Sequence, residues 1–143
     1  MSATKPRPEQ LQKLATQAPA EGPVYLLNLL RFKQRAEYAD GRATDLTGEQ
    51  AYALYTEGVS KLIAGVGGRI IWFGRCNTLV IGDGDEPPWD TAAIVEYQHL
   101  EDYLKMRGGA DYEDVHVHRE AGLAQQLLIH CLSREQAQGV LSR

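Results

Sequence analysis

The sequence has only two cysteines, Cys76 and Cys131, far apart and outside any Cys-x-x-Cys or His–Cys cluster of zinc type. That excludes a disulfide framework and a closed structural zinc site, and predicts two reduced, partly buried thiols. Positive charge is also in short supply. Fifteen Lys and Arg stand against 19 Asp and Glu, a formal charge of −4. The basic residues are scattered, so nucleic acid is not an expected partner. No apolar run approaches the roughly 18 residues of a membrane span. The stretch Met1–Ala20 lacks the apolar centre of a signal peptide. The expectation is a cytoplasmic protein with no membrane partner. Nucleotide-loop chemistry is missing as well. Gly65-Val66-Gly67-Gly68-Arg69 follows a helical pattern and precedes a strand pattern, whereas a phosphate-binding loop needs the reverse order. There is no Gly-x-Ser-x-Gly elbow. No cofactor and no metal are expected.

What is present reads as a globular domain. A chain of 143 residues buries roughly 68–70% of its unfolded surface, enough for a core without staples. Residues 1–22 form an arm or helix, with Leu11 and Leu14 on one face. Residues 23–132 form the domain, and residues 133–143 a short helix or tail. Val24 to Lys33 is apolar at both odd and even positions, as in a central strand covered on both faces, and Asn28 interrupts its apolar stripe. Gln34 to Leu46 is a polar loop. Thr47 and Gln50 match a capping box, and Tyr52, Tyr55, Val59, Leu62, Ile63 and Val66 fall on one side of the helix that follows. Gly65 and Gly67-Gly68 end it.

Arg69 to Ile81 reads as a strand or bent strand pair, with a bulge or turn at Gly74 or Asn77. Thr91 to Tyr97 is a further strand. His99 to Met106 and Asp111 to Glu120 are short helices, Leu123 to Leu132 is the last strand, and Ser133 caps a final helix. The order is β-α-β-β-α-α-β, the split β-α-β, ferredoxin-like arrangement of an α+β fold. Its strand order, 4-1-3-2, puts the Val24 and Thr91 strands in the middle of a four-stranded antiparallel sheet and the two cysteines on opposite edges. Helices cover only one face of such a sheet, so the second apolar face of the Val24 strand needs another cover. A second subunit is the simplest, which predicts a homodimer, a dimeric α+β barrel with a cavity between or beside the sheets.

The residues that could carry chemistry are few. His116 and His118 form a His-x-His pair that could hold a metal on a strand. On a helix they point about 200° apart, from 3.6 residues per turn, so a metal is not expected. Asp114 and His118 are spaced to pair across one turn. Arg119 lies on the apolar side of the same helix. Its partner is either internal, a carboxylate or a carbonyl at a helix end, or a substrate carboxylate gripped by the guanidinium. Asn28 either bonds within the protein or faces a wet cavity. Tyr52 and Tyr55 are core residues or phenols beside a ligand. Trp72, Trp89 and Tyr97 supply aromatic walls, and His99 and His130 read as structural. The ligand-binding candidates are therefore Asn28, Tyr52, Tyr55, Trp72 and Arg119, and no catalytic residue is assigned.

The segments "YLLNLLRFK", "YALY", "GVGGRIIWFG", "WDTAAIVEY", "LKM" and "HREAGL", spread over Val24 to Leu132, resemble the family catalogued as domain of unknown function 1330. The resemblance implies a ferredoxin-like fold of the dimeric α+β barrel superfamily. One departure is Tyr97-Gln98, where members often carry Tyr-Pro. Oxygenases in the wider superfamily place an Asn, a Trp and a His around one pocket. Asn28 matches in type and strand, Trp72 lies on the second strand instead of the third, and no histidine takes the remaining place. The expected function is binding of a small polar or aromatic metabolite; whether the protein also transforms it, as an enzyme working without metal, is left open by the sequence. The alternative is a non-catalytic ligand sensor or oligomeric interaction module.

Overall fold

A computed structural model describes residues 3–19 and 21–141. The elements run α1 (Pro8–Gln17), β1 (Val24–Phe32), α2 (Gly48–Gly65), β2 (Arg69–Arg75), β3 (Thr91–Tyr97), α3 (Leu100–Arg107), α4 (Ala110–Gly122), β4 (Leu123–Cys131) and α5 (Arg134–Leu141). The strands form one antiparallel sheet in the order β2-β3-β1-β4. This is the ferredoxin-like α+β order expected from the sequence, with β1 and β3 in the middle. Both cysteines are free, Cys131 on edge strand β4 and Cys76 just beyond edge strand β2.

Local chemistry sets the element ends. Thr47 Oγ1 accepts from Gln50 N at 3.1 Å, and Gln50 Oε1 accepts from Thr47 N at 2.9 Å, the predicted capping box of α2. Gly67, at φ +79°, turns the chain out of α2. Ser133 Oγ accepts from Gln136 N at 3.1 Å at the start of α5. On β1 the even positions Val24, Leu26 and Leu30 are buried beneath the helices. Tyr52, Tyr55, Val59 and Ile63 of α2 join them in the core, with Leu123 from β4.

Two features of the second strand differ from expectation. It ends at Arg75, because β3 begins at Thr91, paired with Arg75, and offers no partner beyond. Cys76 N donates to Asp90 O at 2.9 Å and closes the intervening loop. Val80 and Ile81 stand in that loop, 86% and 91% exposed. The register shift falls between Ile70 and Trp72, not at Gly74 or Asn77. Gly74 has another reason to be glycine. A Cβ there would meet the Trp72 ring at 2.6 Å, so its bare backbone makes room for the indole.

The domain is knotted where β1, α2 and α4 meet. Lys33 N donates to Gly122 O at 2.8 Å, and Gly48 N donates to Lys33 O at 3.1 Å. A Cβ on Gly48 would lie 2.1 Å from Lys33 O, and one on Gly122 would lie 2.1 Å from Gly48 O. Both obstacles are backbone, so neither can swing aside. This contact fixes the end of α4 against the start of α2. Gly122→Ala should therefore cost about 3 kcal/mol, the upper range for overpacking, measured by urea unfolding. A loss below about 0.5 kcal/mol, the ordinary surface range, would show that the helices separate freely.

Candidate functional site

The two faces of the sheet have different surroundings. On the helix-covered face, Leu26, Asn28 and Leu30 of β1 align with Val95, Ala93 and Thr91 of β3 and with His130, Leu128 and Gln126 of β4. Ile70 and Phe73 extend this face onto β2. Between it and the helices runs an open cleft of about 950 Å3. The cleft lies beside the sheet, under the helices, and the N-terminal segment from Ala3 through α1 forms part of its wall.

Arg119 enters the cleft from the last turn of α4, one turn before the Gly122 contact. It is 8% exposed. Its Nη2 donates to Gln126 Oε1 and to the carbonyl of Thr4. Gln126 Nε2 in turn donates to Asn28 Oδ1 at 2.9 Å, and Asn28 Nδ2 reaches Leu26 O at 3.4 Å. The result is a polarised chain from a cation through two amides to the strand backbone. Of the two internal partners expected for Arg119, a carbonyl is present, though from the N-terminal segment instead of a helix end. A carboxylate is not: among the described residues Arg119 makes no ion pair, and its Nε and Nη1 donate to no protein atom. The neighbouring Glu120 carboxylate is engaged elsewhere, 2.8 Å from Lys5 Nζ and 3.6 Å from His116 Nε2.

An aromatic wall completes the cleft. Tyr52 and Tyr55 meet at 5.1 Å between centroids with their rings tilted by 50°, and Tyr55 meets Tyr112 at 6.1 Å with their hydroxyls 3.2 Å apart. Burial pushes the Tyr52 and Tyr55 phenols well up from their ordinary pKa, against a smaller opposing pull from Arg119. They remain protonated, so each hydroxyl keeps a proton to donate. The Tyr52 hydroxyl makes no hydrogen bond among the described residues. His116 lies 5.4 Å from the Tyr112 ring. Burial first, then the Arg119 charge, lower its pKa, and burial alone lowers that of His130. Both are neutral at pH 7, and the buried Nε2 of His130 has no hydrogen-bond partner among the described residues.

Four of the five predicted site residues, Asn28, Tyr52, Tyr55 and Arg119, thus meet in one cleft. Trp72 does not join them. It aligns with Ile94 on the opposite face of the sheet and is 54% exposed. The two histidines of α4 diverge, as helical geometry requires. His116 faces the cleft, while His118 Nδ1 bonds the Tyr38 hydroxyl at 2.7 Å. That bond replaces the expected pairing with Asp114 and ties the loop before α2 to α4. Sequence reasoning missed Gln126, Tyr112 and the N-terminal wall. Gln126 carried the same signal as Asn28, a polar side chain on an apolar stripe facing the core.

No family model and no curated protein matches the chain. Solved structures do. The crystal structure of the methylated RPA0582 protein is 32% identical over 93% of this chain and 97% of its own, with a TM-score of 0.81. A second structure, of the RPA0582 protein of unknown function from Rhodopseudomonas palustris, is 28% identical over 92% and 96%, with a TM-score of 0.80. At that identity, over nearly the full length of both proteins, this chain belongs to the family of the Rhodopseudomonas palustris RPA0582 protein.

Proposed function

We propose that this protein is a homodimeric α+β barrel, of the type catalogued as domain of unknown function 1330, that binds a small polar or aromatic metabolite in the cleft of each subunit. The observation that carries the reading is the meeting of Asn28, Tyr52, Tyr55 and Arg119 around open space instead of in a dry interior. A half-buried amide and a buried guanidinium are costly to maintain, and the neighbouring inward positions of β1 are filled by Val24, Leu26 and Leu30. Any chemistry in the cleft would draw on His116 and His130, whose neutral imidazoles can accept a proton there.

The second face of the sheet supports the dimer. Leu27 and Leu29 of β1 align there with Ile94 and Ala92 of β3 and with Ile129 and Leu127 of β4. Among the described residues no helix covers the centre of this face, and Trp72, Leu127 and Ile129 are exposed on it. A second copy is the occupant we infer. A two-fold axis lays the same apolar patch on itself, and the rim carries both signs in the Arg69–Glu96 pair, 2.9 Å apart.

Two outcomes are expected. Sedimentation at low micromolar concentration should give twice the 15.9 kDa chain mass, and Ile94→Lys should give monomers. A compact wild-type monomer would contradict the dimer. In a thermal-shift screen of small aromatic and polar metabolites, a true ligand at a hundred times its Kd should stabilise by about 2.7 kcal/mol. Asn28→Ala and a cleft-filling Leu128→Trp should reduce that stabilisation. Hits indifferent to both substitutions would place binding elsewhere.

A further inference from the structure

We propose that the cleft takes an organic carboxylate with an apolar or aromatic body, and that its carboxylate replaces the Thr4 carbonyl on Arg119, releasing the N-terminal segment. This rests on the cleft being a ligand site, as proposed above, and names the class of ligand and the contact that must yield.

Charge distribution is the first support. The protein is acidic overall, with a formal charge of −4. The cleft wall nevertheless carries Lys5, Lys13, Arg107 and Arg119 against one carboxylate, Glu113. Glu120, behind the wall, is occupied by Lys5 and His116. Arg119 is withdrawn from water, and among the described residues only neutral oxygens reach it. A guanidinium presents a planar fork of donors that fits a carboxylate bidentately. Here Nε and Nη1 are unengaged among the described residues, and the Tyr52 hydroxyl is a further unengaged donor on the same wall. Behind the fork, Gln126 and Asn28 hold the guanidinium in orientation.

The rest of the wall selects the body. Leu26, Val95, Ile70, Phe73 and Leu128 line the cleft and make no demand for hydrogen bonds. A single buried cation among neutral amides matches a monoanion with a carbon skeleton better than a dianionic phosphate.

The N-terminal segment is built to give way. α1 buries none of its residues completely. Polar tethers hold the stretch before it: Gln126 N to Ala3 O at 3.1 Å, Arg119 to the Thr4 carbonyl, and Lys5 to Glu120 at 2.8 Å. A carboxylate binds a guanidinium more strongly than a neutral carbonyl does, so the Thr4 contact is the one a ligand would displace. The adjacent Ala3 tether should loosen with it.

The test is calorimetric titration of the full-length protein with benzoate, phenylacetate and hexanoate, each beside its own neutral amide, with inorganic phosphate as control. Amide hydrogen exchange at Gln126 is followed in the same samples. At least one acid should bind ten-fold or more tightly than its amide. Arg119→Met should erase that preference, Tyr52→Phe should weaken it several-fold, phosphate should not bind, and Gln126 exchange should quicken with the acid. If acids and amides bind alike, in the wild type and in both variants, the carboxylate assignment is overturned while the cleft remains a binding site. If an acid binds with Gln126 exchange unchanged, the displacement is overturned. If neither acids nor amides bind, both the assignment and the cleft reading fall.

Discussion

A guanidinium with no counter-ion among the described residues lies inside this domain, and the arrangement of the cleft follows from it. Arg119 is withdrawn from solvent, yet its partners are the Gln126 amide and the Thr4 carbonyl. Taking a charge out of water costs several kcal/mol even after relaxation. Neutral acceptors offset part of that, and the amide chain through Gln126 to Asn28 spreads the field into the sheet. The same charge helps keep His116 neutral. The Gly48–Gly122 contact makes this placement possible. It clamps the end of α4 against α2 and β1, so that a side chain one turn earlier has little choice but to face the sheet.

The sheet divides the labour between its faces. Its helix-covered side is not filled. Phe73 and Leu128 remain partly exposed there because they line open space instead of core. The other side is apolar, with half-buried Leu27, Leu29 and Ile94 at its centre and exposed Trp72, Leu127 and Ile129 around them. One strand, β1, supplies both surfaces, which explains a sequence apolar at both parities with one amide among its inward positions. In the reading proposed here, association would cover one face while the other stays open to a ligand beneath a weakly held N-terminal segment.

Much of the fold is legible from local rules. The Thr47–Gln50 box, the glycines after α2, the central character of β1 and the order of elements all rest on short-range chemistry. The element order in turn restricts the strand order to a familiar one. Where reading fails, the cause lies far along the chain. β2 stops at Arg75 because its partner begins at Thr91, and no pattern inside "RIIWFGRCNTLVI" says so. His118 leaves Asp114 for Tyr38, a hydroxyl brought to α4 by the loop before α2. Trp72 faces away from the cleft because a register shift sits just before it. For the site, Asn28 and Arg119 were visible as polar groups on apolar stripes. Their connection through Gln126, and the closure of Arg119 by the N-terminal segment, depend on tertiary contact alone.

In the function proposed above, Arg119 is held at an energetic cost for the sake of a ligand and is not part of the scaffold. The most direct measurement is the ligand-free stability of Arg119→Met by urea unfolding. Removing a buried charge that is not ion-paired also removes its desolvation cost, so stability should stay within about 1 kcal/mol of wild type or rise above it. A loss of about 3–5 kcal/mol, as when one partner of a buried ion pair is removed, would contradict it and make Arg119 a structural residue.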